Sequence, residues 1–445
     1  MVIASPAGTT TSSSLDDATL NSFHRKLTLF SSGGPFLDGY ILGIIGIALV
    51  QATPALKMST LWVSLIGASA LVGVFIGGVV FGPLTDRIGR KLMYMIDLGA
   101  IVIFSILQFF VTSDWQLGLL RLLIGVAVGA DYPIATALVA EFAPRDWRAR
   151  LLGGLNAMWF VGATIAAFVG FFLLSLDNGW RWMLLSSAVP AVIIMIARTS
   201  IPESPRWLAS KGRTEEAQAV ITQTLGEGAI LDDLPSEAPS GSMREVVRGG
   251  YLKRVVFISI FWSSTIITLF AIYAFGPQML TLFGLQEGNQ AELGYGLINL
   301  FFFVGNVVAL LLVERMGRRP ILIGGFAISA LGLLYLAVFP NSSILVVAIA
   351  FAVYAIFNGG PSILEWIYPN ELFPTEIRAS AVGLCTGISR IGAAIGTFAT
   401  PWALRELGIS TTMYIATAIA LVGAIASYFM APETKGRNLS DTARL

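Results

Sequence analysis

The chain is poor in the side chains that build metal centres and covalent cross-links. Its 445 residues include one cysteine and one histidine. Cys385 lies inside an apolar segment, and a single thiol excludes an intramolecular disulfide. His24 stands just ahead of the first apolar stretch. With no second His or Cys to complete a metal site, it reads as an interfacial residue, and no metal or cofactor is expected. Charge is scarce too: Asp, Glu, Lys and Arg make up 12% of the chain, against about 25% in soluble domains. A net charge of +1, with no basic patch outside the loops, gives no footing for nucleic acid. No nucleophile–base pair is visible, which argues against an enzyme. Residues 1–20 are rich in Ser, Thr and Ala without an apolar core, so they read as a disordered tail and not a cleaved signal.

What the chain has is apolar length. Hydrophobic residues make up 55%, and segments of about 20 residues, long enough to cross a bilayer, recur throughout. Spans are expected near 27–51, 60–82, 91–111, 115–140, 150–176 and 180–199, then near 254–280, 291–313, 320–339, 343–367, 379–403 and 410–430. The fold class is therefore an all-α membrane protein of twelve transmembrane helices. With both termini inside, 23 of the 28 basic residues fall on the cytoplasmic side; the other five are Lys57, Arg121, Arg181, Arg390 and Arg405. That asymmetry is what the positive-inside rule demands of a multi-pass protein of the cytoplasmic membrane. Residues 200–252 form the one long loop, with a stretch of amphipathic helices lying on the membrane and then an acidic linker. The expected organisation is a disordered cytoplasmic tail (1–24), a six-helix half (25–199), the loop (200–252), a second six-helix half (253–430) and a short tail (431–445).

An internal repeat supports the two halves. GPLTDRIGRK (82–91) is echoed by LLVERMGRRP (311–320), AEFAPRDWRA (140–149) by NELFPTEIRA (370–379), and PES (202–204) by PET (432–434), at offsets of 228 to 230 residues. Two parallel six-span halves are the build of a secondary transporter. The first motif reads as a turn in which Gly82 and Gly89 bend the backbone. Asp86 and its counterpart Glu314 can meet a helix N-terminus, while Arg87, Arg90 and Arg315 anchor at the interface. The second motif places Glu141 with Arg148 and Glu371 with Arg378 at the ends of spans four and ten, where they can pair across the halves as a gate. A topology signal and solvated surface ions are the plainer readings.

Charges found in only one half are the candidates for substrate and proton chemistry. At a 230-residue offset Asp131 stands against Pro361, Arg390 against Phe160, Glu365 against Ala135 and Arg121 against Phe351. Asp38 and Arg390 lie about 17 Å into their helices and Asp131 about 15 Å, all near the midplane. Glu365 lies nearer the cytoplasmic face and Arg121 nearer the outside. An intramembrane carboxylate is costly and is a functional candidate by default; Asp38 and Asp131 are assigned to proton coupling. Arg390 stays charged and can clasp a carboxylate or phosphate, or serve as a permanent partner of one of the Asp residues. Asn156, Trp159, Tyr273, Gln278, Asn299 and Asn358 can orient a substrate, or act as helix glue. Gly73 with Gly77, and Gly125 with Gly129, permit close helix contact, and Gly33-Gly34-Pro35 bends the first span.

The paired GxLxDRxGRK-like and E…R motifs, with PESPRWL and PETKG after the sixth and twelfth spans, resemble the sugar-porter-like branch of the major facilitator superfamily. RLLIGVAVGA, led by Arg121, resembles that superfamily's fourth-helix motif. GADYP and FLDGY are similar to the proton:phosphate symporters and the bacterial metabolite:proton symporters. GISRIGAAIG puts Arg390 where phosphate transporters carry Lys and organic-anion carriers carry Arg. EWIYP replaces the PxxPW-like motif of sugar porters, which weakens a sugar reading. The resemblance implies a monomeric, proton-coupled transporter of a small anionic metabolite working by alternating access, with Asp86, Arg87, Arg90, Glu141, Arg148, Glu314, Arg315, Glu371, Arg378 and Arg121 as conformational residues. A sugar or polyol symporter, a drug:proton antiporter and a non-transporting receptor of the same fold are the alternatives.

Overall fold

In the hydrocarbon core every backbone N–H and C=O must find its partner within the chain, and a helix does this within one segment. The computed structural model describes residues 21–142, 145–225, 250–286, 289–373 and 375–435. The side chains of 82–83, 86, 131–138, 140–146, 148–150, 152, 206, 210, 225, 375–376 and 378–380 are excepted. The first span is a pair of helices, α1 (Ser22–Ser31) and α2 (Gly33–Ala55). α3 (Thr60–Ile88), α4 (Arg90–Phe109), α5 (Asp114–Phe142), α6 (Arg145–Leu173) and the pair α7 (Gly179–Ser186) and α8 (Ala188–Arg198) complete six spans. Two short helices, α9 (Pro205–Ser210) and α10 (Thr214–Leu225), follow. The second six are α11 (Leu252–Leu282), α12 (Gln290–Met316), α13 (Arg318–Val338), α14 (Ile344–Leu372), α15 (Thr375–Glu406) and α16 (Gly408–Met430). Among the described residues 11 segments are long and apolar enough to cross a membrane, and α5, with 29 residues, makes the twelfth.

The packing repeats as the sequence does. α3 lies on α5 and α2 on α6; in the second half α12 lies on α14 and α11 on α15. The halves meet where α3 runs along α15, α6 along α12 and α2 along α11. Close crossings explain the glycines. A Cβ on Gly129 would sit 2.3 Å from the Val74 carbonyl oxygen, and one on Gly359, its repeat counterpart, 2.4 Å from that of Gly305. Small residues let the backbones touch, the usual source of helix association in lipid. Large apolar side chains such as Phe172, Leu345 and Phe429 are exposed on the outside of the bundle, while Asp38, Arg121, Asn299 and Arg390 are buried within it.

Three expectations change. The first span is interrupted only locally, at Ser32, one residue before Gly33-Gly34-Pro35, and the sixth at Ser187; both serines keep helical backbone angles, so each pair of helices runs on as one span. The GPLTDRIGRK stretch is not a ten-residue turn: α3 continues through Gly82 to Ile88, and the reversal is made by Gly89 alone, at φ +100°. Only glycine adopts that angle without strain. His24 is buried and closes a capping box with Asn21 at the start of α1. With an even number of spans, residues 21 and 435 lie at one end of the bundle, here the termini end; the opposite one is the far end.

Candidate functional site

Asp38 sits on α2, one residue before Gly39. A Cβ on Gly39 would fall 1.9 Å from the Trp159 carbonyl oxygen, so the glycine lets α2 and α6 close up and brings the carboxylate to the indole. Trp159 Nε1 donates to Asp38 Oδ2 at 2.7 Å, a bond strengthened by the carboxylate's charge and by burial. Around this pair stands an aromatic cage. The Trp159 ring meets Tyr273 edge-on at 5.1 Å and Phe270 at 5.9 Å; Phe302 stacks on Tyr273 at 5.8 Å and is met edge-on by Tyr354 at 5.5 Å. Tyr273 keeps a buried hydroxyl with no hydrogen-bond partner.

The other face of Trp159 lines a small cavity between the halves, shared with Asn156, Phe270, Ser362, Glu365, Trp366 and Arg390. The space open to water centres is about 30 Å³, room for one or two waters. Asn156 crosses it, its Nδ2 donating to the Ser362 carbonyl oxygen at 3.4 Å. The Arg390 guanidinium lies over the Phe270 ring at 5.5 Å. Arg390, the Trp262 indole and the Thr265 hydroxyl are among the polar groups near Glu365. Neither Glu365 Oε1 nor Arg390 Nε has a hydrogen-bond partner, and the two do not appear among the ion pairs of the described residues. Opposite charges thus share one cavity without contact.

Other expected site residues lie elsewhere. Gln278 is exposed and lines a separate cavity of about 530 Å³ at the far end, with Thr60 and Arg405, whose Nη1 donates to Thr60 Oγ1 at 2.9 Å. Its place on the far side of the Phe275 kink in α11 explains the separation. Asn299 bonds the Tyr295 carbonyl oxygen at 2.8 Å, and Asn358 is buried with an unpartnered Nδ2; neither lines the small cavity. Arg121 is almost fully buried on α5. It donates from Nη1 to the Ile41 carbonyl oxygen at 3.0 Å, one turn of α2 from Asp38, and leaves Nε and Nη2 without partners. The side chains of Asp86, Asp131, Glu141, Arg148 and Arg378 lie outside those described. Between cage and far-end cavity, Tyr295 Oη donates to the carbonyl oxygens of Gly43 (2.8 Å) and Tyr273 (3.0 Å).

At the termini end the second-half clamp is centred on Arg318, which sequence reasoning passed over. Its guanidinium reaches Glu371 at 2.7 Å and Glu314 at 3.0 Å. Glu371 is therefore held by Arg318 within its own half; the side chains of Arg378 and Arg148, its expected gate companions, lie outside those described. Arg315 is exposed, and its carbonyl oxygen accepts from Lys435 Nζ at 2.7 Å. The acids of PES and PET were also missed. Glu203 accepts from the backbone N–H groups of Arg90 and Lys91, each at 3.1 Å. Glu433 accepts from those of Arg318 at 3.0 Å and Arg319 at 3.1 Å. Each carboxylate caps the helix that begins after a positive-φ glycine, Gly89 or Gly317. Burial pushes the Glu433 carboxyl up, and the N–H groups of Lys435, Arg318, Arg319 and Thr434 outweigh it, leaving the group below the usual glutamate value. The signal was present: Arg318 is the repeat counterpart of Arg90, and Glu433 of Glu203. Arg87 is exposed.

Known proteins can be set beside this geometry. The family profile described as sugar (and other) transporter matches residues 18–445. The chain is 45% identical to the metabolite transport protein YaaU of Escherichia coli (strain K12), with 98% of each chain covered. It is 36% identical to the inner membrane metabolite transport protein YgcS of the same organism, over 95% of this chain and 94% of the other. Among solved structures it is similar to the E. coli xylose transporter XylE in a partially occluded inward-open conformation. That match has a TM-score of 0.80 at 21% identity, over 94% of this chain and 100% of that one.

Proposed function

This chain belongs to the sugar (and other) transporter family of the major facilitator superfamily, a family of transporters and not of enzymes, and we propose that it carries a small anionic metabolite, an organic acid or phosphate-like compound, by proton-coupled alternating access. The observation behind this reading is the position of Trp159. One edge of its ring holds Asp38, and its face lines the cavity that contains Arg390 and Glu365. A substrate in that cavity touches the residue that orients the buried acid, so the two bindings share a side chain. Arg390 is the anion contact. Glu365 competes for it: an entering anion raises the cost of a charged Glu365, and uptake of a proton removes that cost. Asp38 and Asp131 carry the coupling proton, and Arg121, a turn away with two unpartnered nitrogens, is a countercharge for Asp38 in another state. The orientation has both termini in the cytoplasm, from the distribution of basic residues, and the working unit is a monomer.

A second reading rests on the same cavity. Arg390 and Glu365 together leave it electrically balanced, and aromatic walls suit a sugar or polyol as well. One solved structure with this fold is that of a xylose transporter, and a further structure of XylE describes it as a proton:xylose symporter. The test is a thermal-shift screen of carboxylates, phosphate, sugars and polyols, followed by transport in proteoliposomes with the compound that stabilises the protein. Asp38→Asn and Asp131→Asn each mimic a protonated acid, so they are expected to abolish proton-driven accumulation and retain exchange. Arg390→Ala is expected to lose affinity for an anion by about tenfold or more, and Arg390→Lys by less. Unchanged anion affinity in Arg390→Ala sends the assignment to the sugar reading.

A further inference from the structure

A second polar cavity, of about 370 Å³, lies at the termini end, remote from the central site. Its walls carry Lys26 from α1, Lys91 from the start of α4, Ser200 and Ile201 from the segment after α8, and Gln223 from the end of α10. The Lys26 ammonium rests over the Phe30 ring at 5.6 Å. Neither lysine is ion-paired with a carboxylate among the described residues. The acid nearby in sequence, Glu203, is already engaged by the backbone N–H groups of Arg90 and Lys91. Behind the shared wall of Lys91 and Ile201, a smaller cavity adds Arg198, whose guanidinium stacks on Tyr94 at 4.0 Å.

The repeat shows that the arrangement is not required by the fold. The counterpart of Lys91 is Arg319, and that side chain is used within the protein: Nη2 donates to the Tyr428 carbonyl oxygen at 2.8 Å. In the first half the equivalent cation is left over, and α1 brings a second beside it. Leu29 and Leu92, on the same two helices, are exposed, so the cavity opens beside a lipid-facing surface. Two unpaired ammonium groups, a hydroxyl and an amide around a cavity of this size suit a group with several anionic oxygens.

We propose that this cavity binds a phosphate group, supplied by an anionic phospholipid headgroup or by a soluble phosphate. Binding ties α1, the Gly89 turn and α10 to one another. It therefore stabilises the clamp that Glu203 makes at the start of α4. The proposal stands independently of which substrate the central site takes.

The test uses the full-length purified protein, delipidated in detergent, and follows thermal unfolding. The additions are phosphatidylglycerol, phosphatidylcholine as the zwitterionic control, and inorganic phosphate against chloride at equal ionic strength. Phosphatidylglycerol is expected to raise the unfolding temperature more than phosphatidylcholine. Lys26→Gln and Lys91→Gln are each expected to weaken the apparent affinity about tenfold, and Lys26→Arg with Lys91→Arg to retain it. Stabilisation by phosphatidylglycerol alone assigns the lipid as the source; stabilisation by inorganic phosphate as well assigns the soluble group. Equal stabilisation of the Gln variants and wild type, or none by either phosphate compound, overturns the site. The unfolding temperature without additions shows directly that each variant is folded.

Discussion

Trp159 offers the sharpest probe at the scale of one residue, because its two roles can be separated. Trp159→Phe removes the N–H and keeps an aromatic wall; Trp159→Ala removes both. Losing a hydrogen bond to a buried carboxylate costs about 1.5–3 kcal/mol, so Asp38 in the Phe variant is expected to favour its neutral form. The pH profile of substrate exchange then moves to higher pH, while substrate affinity falls less than in the Ala variant. A profile that stays in place assigns Trp159 to packing alone. The positions that converge here were legible individually: Asp38, Glu365 and Arg390 as charges inside apolar runs, Asn156 and Trp159 as polar groups one turn apart. Their distances were not, because which faces of α2, α6, α14 and α15 meet depends on glycine contacts such as Gly39 against Trp159. Gln278 stands apart from this cluster because α11 kinks at Phe275, beyond which the side chain turns to the far end, and the kink is not visible in the sequence pattern.

Elements move in alternating access, and the bond that ties α2 to α11 through α12 is the one to cut. Tyr295 has a single hydroxyl proton shared between the carbonyl oxygens of Gly43 and Tyr273, so its net worth is about 1 kcal/mol, a factor of about five in a two-state balance. The space is tight: a Cβ on Gly46 would lie 2.4 Å from the Tyr273 carbonyl oxygen. Tyr295→Phe keeps the packing and deletes the tie. It is expected to shift the population about fivefold toward opening at the far end. Labelling of a cysteine introduced at Ser362, in a Cys385→Ala background, by a membrane-impermeant maleimide reports that opening. Equal labelling rates with and without the hydroxyl make Tyr295 a packing residue only. Element positions were largely readable, since apolar length and the basic-residue pattern fix the spans. The interruption at Ser32 falls beside Gly33-Gly34-Pro35, where a bend was expected; the one at Ser187 was not anticipated. The span-two motif looked like a loop because it is charged, yet helices at a membrane surface can continue into water, and α3 does so up to Gly89.

For the whole molecule, the repeat carries over from sequence to structure in its caps. Glu203 and Glu433 hold equivalent helix starts, and charge pairs close the same end in the second half through Arg318. This separates the scaffold from the proton chemistry, and the titration of Glu433 makes the separation testable. Its carboxyl is held below the ordinary value of about 4.3 by the N–H groups that outweigh its burial. A depressed acid contributes its stability in full above the unfolded pKa and loses it only as pH falls through the folded pKa. The PET clamp is therefore intact across the range in which proton-coupled transport operates, and it cannot be the pH sensor. Glu433→Gln keeps an acceptor oxygen but loses the charge, so it is expected to loosen the termini end and change the rate of exchange at every pH alike. The shape of the pH profile between pH 5 and 8 should remain that of the wild type, since the acids proposed to set it, Asp38 and Asp131, lie within the spans. If the midpoint of the Glu433→Gln profile moves by a full unit, the clamp takes part in proton handling, and the division between scaffold and coupling site fails.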